Sequence, residues 1–157
     1  VGQLPKDRES LFYFNLREVP RKSGASEARS VMQVAMQSRI KLFWRPKAIT
    51  KKPGDQSEMR MEITATATGL SVHNPTPYYI TLAWLSKNAK TQLPGFDSLM
   101  IAPFATASTS TGDYHGSYYS VGYIDDYGAL KKVDVTCAGK APCQLSERKG
   151  QNNAQAR

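Results

Sequence analysis

Residues 11–19 alternate apolar and polar positions, are rich in Phe, Tyr and Leu, and end at Pro20, which predicts a β-strand. The next ten residues, R-K-S-G-A-S-E-A-R-S, are small and polar and predict a flexible loop. Residues 31–44 then read as a second, long strand, with Met32, Val34, Met36, Ile40, Leu42 and Trp44 all at even positions. Two strands joined by such a loop predict an antiparallel pair. Pro46 closes the second strand, and residues 47–58, K-A-I-T-K-K-P-G-D-Q-S-E, read as an interdomain connection leading into a new domain. Beyond it, short β-rich runs recur at 59–67, 70–73, 78–85, 98–101, 106–111, 118–124 and 132–137. Turn-formers separate them: Gly69, Asn74-Pro75-Thr76-Pro77, Leu93-Pro94-Gly95, Gly112-Asp113 and Asp125-Asp126-Tyr127-Gly128. That rhythm predicts an all-β sandwich, with no helical period competing. Residues 146–157, rich in Gln, Asn, Arg and Lys, are expected to form a disordered tail.

The chain has 157 residues, 40% of them hydrophobic and 22% charged, which suits a globular protein. No run approaches the roughly 18 apolar residues of a membrane helix. Val1-Gly2-Gln3 lacks a Met, and no leader opens the chain, so any signal peptide is expected to lie outside it. The net charge of +8 is concentrated early, in Arg17, Arg21, Lys22, Arg29, Arg39, Lys41, Arg45, Lys47, Lys51 and Lys52. A solvated surface, an acidic protein partner, an acidic membrane surface or nucleic acid could each account for it. These cations are mixed with Met and Val in a strand pattern, and no nucleic-acid motif accompanies them.

Candidate chemistry is sparse. There is no G-x-S-x-G, no phosphate-binding loop and no nucleophile–base arrangement, so an enzyme is not expected. Cys137 and Cys143 are too few for a metal site, and His73 and His115 are not at ligand spacing. A local disulfide is the better reading of the cysteines, with an oxidising compartment as its corollary; two reduced thiols are the alternative.

The segment Leu4-Pro5-Lys6-Asp7-Arg8-Glu9-Ser10, followed by Leu11-Phe12-Tyr13-Phe14-Asn15-Leu16-Arg17-Glu18-Val19-Pro20, resembles the signature of the periplasmic pilus-assembly chaperones of Gram-negative bacteria, the PapD/FimC-like family. In that pattern an L-P-x-D-R-E-S turn feeds an aromatic strand ending in N-L-x-x-V/I-P. Two further segments resemble the family's second domain: Asn74-Pro75-Thr76-Pro77-Tyr78-Tyr79 and Tyr123-Ile124-Asp125-Asp126-Tyr127-Gly128. The Cys137/Cys143 pair matches the C-terminal disulfide of the PapD branch. The resemblance implies a complete second immunoglobulin-like β-sandwich over residues 47–145. It would be preceded, over residues 1–46, by the last two strands of a first immunoglobulin-like domain. Because the signature falls near the end of the first domain in the family, the chain is expected to lack most of that domain.

The same resemblance implies function. Such a chaperone binds pilus subunits, caps them by donating a strand, and delivers them to an outer-membrane usher from the periplasm. No cofactor, nucleic acid or membrane insertion is implied. Met32, Val34 and Met36 would be the donated side chains; pattern alone would instead assign them to their own domain's core. Lys41 stands at the family's invariant lysine, which with an arginine of the first strand holds the subunit's C-terminal carboxylate. That arginine would lie in a segment before Val1, and Arg8 is no substitute, so the 157-residue polypeptide alone is expected not to capture subunits. Arg45 and Asp126 match an interdomain ion pair, and the glutamate that joins them in the family is expected to precede Val1. The 20–30 loop is short, as in the branch serving adhesive, rod-like pili. The unpaired strands raise the possibility of self-association. The rival reading is a secreted immunoglobulin-like pilus subunit or adhesin domain, although residues 1–6 supply no alternating donor extension.

Overall fold

The computed structural model describes residues 3–19 and 34–148. Ten strands follow in order: β1 (Ser10–Arg17), β2 (Gln37–Trp44), β3 (Glu62–Ala65), β4 (Gly69–His73), β5 (Ile80–Ser86), β6 (Leu99–Ile101), β7 (Thr106–Ser110), β8 (Tyr118–Ile124), β9 (Leu130–Thr136) and β10 (Gln144–Glu147). Single 3-10 turns occupy Lys47–Ile49 and Ser57–Arg60. Among the described residues β1 and β2 pair only with each other, in antiparallel register from Ser10–Trp44 to Arg17–Gln37. The other eight strands make two antiparallel sheets, β10-β9-β8-β5-β6 and β3-β4-β7.

The core of this immunoglobulin-like sandwich follows the period of two. Tyr119, Val121 and Tyr123 of β8, Val133 and Val135 of β9, and Ile80 and Leu82 of β5 are buried with Ile63, Leu70 and Val72 of β3 and β4. β5 breaks strict alternation, because Leu82 and Leu85 are both buried. A register shift between Leu82 and Trp84 against β8 explains it: the bulge resets which side chains point inward. At Gly69 a Cβ would lie 2.0 Å from the Thr109 carbonyl oxygen, so only glycine lets β4 approach β7 there.

The Asn74-Pro75-Thr76-Pro77 turn is built around one side chain. Asn74 is fully buried, and its Nδ2 donates to the carbonyls of Tyr78 (2.6 Å) and Ala102 (3.0 Å). Its Oδ1 accepts from the Thr76 amide (3.0 Å) and hydroxyl (2.6 Å). Two prolines supply no amide, so the side chain does the hydrogen bonding the backbone cannot. Asn74→Ala strands these groups away from water, and urea denaturation is expected to show a loss of about 3 kcal/mol. A loss under about 1 kcal/mol would mean that water replaces the amide.

Cys137 and Cys143 form a buried disulfide, with sulfur atoms 2.02 Å apart. The Cys143 amide donates to the Ile63 carbonyl at 2.7 Å, so the bridged turn also ties the edge of one sheet to β3 of the other. Closing so short a loop contributes about 2 kcal/mol through the unfolded chain.

Three boundaries differ from the sequence reading. Ser146 and Glu147 are not tail residues: they pair with Asp134 and Val133 and complete β10, a short polar edge strand held by β9 rather than by its own pattern. The 59–67 run begins as a 3-10 turn, with the Met59 amide bonded to the Gln56 carbonyl, because Glu58 turns inward and is buried. Residues 34–36 precede β2 rather than belonging to it, and the loop at 20–30 and Met32 fall outside the described residues.

Candidate functional site

The β1–β2 hairpin carries two unlike faces. On one, Phe12, Phe14 and Leu16 lie across from Leu42, Ile40 and Ser38. Four of these side chains, Phe14, Leu16, Ile40 and Leu42, are more than half exposed, at 54–59%. On the other, Leu11, Tyr13 and Asn15 face Phe43, Lys41 and Arg39, with the Arg39 guanidinium 3.7 Å above the Tyr13 ring. Lys41 is exposed on this second face. Val34 and Met36, each 66% exposed, extend from the start of β2, and the Met36 carbonyl still accepts the Glu18 amide at 2.9 Å. Among the described residues β2 hydrogen-bonds to β1 along one edge, and its other edge is open.

A chain of polar contacts docks the hairpin on the sandwich. Continuing the Ser10–Trp44 register by one residue sets Glu9 opposite Arg45. Glu9 is buried; its amide donates to the Pro77 carbonyl (2.8 Å) and its carboxylate accepts from Arg45 Nε (2.7 Å) and the Tyr79 amide (2.7 Å). Arg45 then forks onto Asp126 through two bonds, 2.7 and 3.0 Å. Phe43 stacks obliquely on Tyr79, ring centres 5.4 Å apart, and Arg8 lies 5.1 Å over Phe104. The bridge therefore has its first-domain carboxylate within the chain. It is Glu9, not a residue before Val1. The hairpin register was the signal that could have found it, since a charged residue in a turn motif otherwise reads as solvated.

The charges reinforce one another. Hydrogen bonds to Asp126, and then to Glu9, hold the Arg45 guanidinium above its usual range against the opposing effect of burial. Arg45 and, after it, Lys51 hold the Asp126 carboxyl below its ordinary 3.8, with burial working against them. A depressed carboxylate contributes stability that is complete above its unfolded value and is lost as pH falls through the folded one. The hairpin is thus expected to stay docked above pH 3.8 and to loosen below it, as read by proteolysis at 47–56 with an acid-active protease. Release that begins well above that value would assign the pH response elsewhere. Beside the bridge, Arg45, Glu58, Tyr123 and Asp126 line a cleft of ≈ 500 Å³. Burial first, and the nearby Glu58 charge second, push the Tyr123 phenol up to about 12.

Residues 56–134 match the family described as "Pili assembly chaperone PapD, C-terminal domain", and residues 1–50 match "Pili and flagellar-assembly chaperone, PapD N-terminal domain". The chain belongs to the PapD pili-assembly chaperone family. It is 48% identical over 147 residues to the fimbrial chaperone YbgP of Escherichia coli K12, covering 94% of this chain and 61% of YbgP. It is 37% identical over 150 residues to the Escherichia coli chaperone PapD, covering 95% of this chain and 60% of PapD. The SafB chaperone structure, solved in complex with the SafA pilin of Salmonella enterica, superposes with a TM-score of 0.69 at 27% identity, covering 87% of this chain and 63% of that one. The chain spans about three fifths of the length of the curated relatives it matches.

Proposed function

We propose that this chain is the strand-donating and second-domain portion of a periplasmic chaperone that binds pilus subunits, completes their sandwich and delivers them to an outer-membrane usher. The observation that carries the reading is that, among the described residues, β2 has an open edge beside exposed apolar side chains and is held at a fixed orientation to the sandwich. Strand addition needs those two things: unpaired main-chain groups for affinity and alternate side chains for specificity. Met32, Val34 and Met36 would enter the subunit. Methionine's unbranched chain suits a donor that serves differing grooves. Lys41, on the opposite face from Ile40 and Leu42, would bind the subunit's terminal carboxylate and so set the register of the added strand.

In this reading the work is done by folding free energy, without catalysis or cofactor, and the partners are subunit and usher. The Cys137–Cys143 disulfide supports an oxidising compartment, the periplasm. The test is capture of a pilus subunit after secretion, by this chain alone and by this chain joined to the part of PapD that the match leaves out. The joined protein is expected to yield a one-to-one complex and the chain alone little. No complex with any subunit from the joined protein, correctly folded, would overturn the reading.

A further inference from the structure

The bridge does not end at Asp126. Lys51 Nζ donates to Asp126 Oδ1 at 3.2 Å and to Glu58 Oε1 at 2.7 Å. Both members of the Lys51–Glu58 pair are nearly sealed from solvent, with side chains 7% and 6% exposed. Charges therefore alternate through five groups: Glu9, Arg45, Asp126, Lys51, Glu58. One aromatic shelf serves both cations, since Arg45 lies 5.0 Å and Lys51 4.6 Å from the Tyr78 ring centre. The Tyr78 hydroxyl donates to the Ile49 carbonyl at 2.8 Å, which pins the shelf to the connection between hairpin and sandwich.

Asp126 needs positioning. It sits in the β8–β9 turn, where Asp125, not Asp126, makes the turn's own bonds, accepting from the amides of Tyr127 (3.0 Å) and Ala129 (2.8 Å). The Asp126 side chain is 38% exposed, so without partners it would sample several rotamers. A buried ion pair adds little net stability over an apolar pair, but it fixes geometry. We propose that Lys51 and Glu58 are positioning residues of the docking bridge: Glu58 orients Lys51, Lys51 holds Asp126 Oδ1 from the sandwich side, and Arg45 meets a carboxylate already in place. This holds for the docked hairpin whatever the hairpin captures.

The Glu9 and Tyr79 amides report docking directly, because each is bonded across the hairpin–sandwich boundary. Val121 and Val133 amides report the sandwich. Hydrogen exchange of the full chain is compared with Lys51→Met and with Lys51→Met/Glu58→Gln. The single change leaves Glu58 charged and buried alone and can weaken the whole sandwich; the double change removes both charges. In the double variant, exchange at Glu9 and Tyr79 is expected to rise about ten-fold with Val121 and Val133 unchanged. Placed in an Asp126→Asn background, the same pair of changes should add less than about two-fold, since the group they position is gone. Unchanged Glu9 and Tyr79 exchange in the double variant overturns the proposal. So does a parallel rise at Val121 and Val133, which would make the pair a support of the sandwich alone, or a full ten-fold rise in the Asp126→Asn background.

Discussion

Replacing Met32, Val34 and Met36 together with serine is expected to abolish subunit capture by a chaperone carrying this sequence. Each side chain, if it fills a groove on the subunit, contributes about 1.5–3 kcal/mol of apolar transfer, so three together give roughly 5–8 kcal/mol and a loss beyond about a thousand-fold. The sandwich should not notice. Among the described residues its buried core runs from Met61 through Cys143, and Val34 and Met36 stand exposed outside it. The thermal midpoint of the sandwich and the subunit dissociation constant, measured on the same preparation, separate the two effects. Capture at parental affinity would make these residues ordinary core of the first domain.

Removing the guanidinium is expected to undock the hairpin. Arg45→Met leaves the Glu9 carboxylate, whose side chain is only 3% exposed, with the Tyr79 amide as its remaining named partner. Breaking a buried pair from one side costs about 3–5 kcal/mol, most of it the uncompensated charge. The expected result is rapid proteolysis within 47–56 and loss of protection at the Glu9 amide, with the β8 and β9 amides still slow. Asp126→Asn should be milder, because Asp126 is partly exposed and Arg45 keeps Glu9. Glu9→Gln/Arg45→Met should recover part of the loss by removing the stranded charge. Unaltered proteolysis in Arg45→Met would place the docking energy in Phe43–Tyr79 and the backbone bond to Pro77 instead.

The sandwich was legible because its strands alternate cleanly and turn residues punctuate them. β8 runs over Tyr118–Ile124, where the pattern placed a strand, and the core faces of β4 and β9 follow the same logic. What the pattern hid depends on tertiary partners. β10 offers a single apolar residue, Leu145, and forms because β9 and the disulfide deliver it to an edge. The bulge at Leu82–Trp84 shifts inward-facing positions with no turn residue to announce it. Nothing along the chain marks Glu9, Lys51 and Glu58 for burial or for one another. Burial of Glu9 and Glu58 becomes visible only when the hairpin register and the fold around Tyr78 bring counter-charges within 2.7 Å. The Arg45–Asp126 pair, by contrast, was reachable from the resemblance, which matched the two residues to an ion pair.

Strand donation through β2 is tested most directly by hydrogen exchange on the chaperone–subunit complex, the chain being joined to the part of PapD that the match leaves out. Amides over 34–44 should become strongly protected on capture, with Lys41 inside the protected stretch and the β3-β4-β7 sheet unchanged. A stable complex in which 34–44 exchange as in the unbound protein, while protection appears on the sandwich sheets, would contradict it.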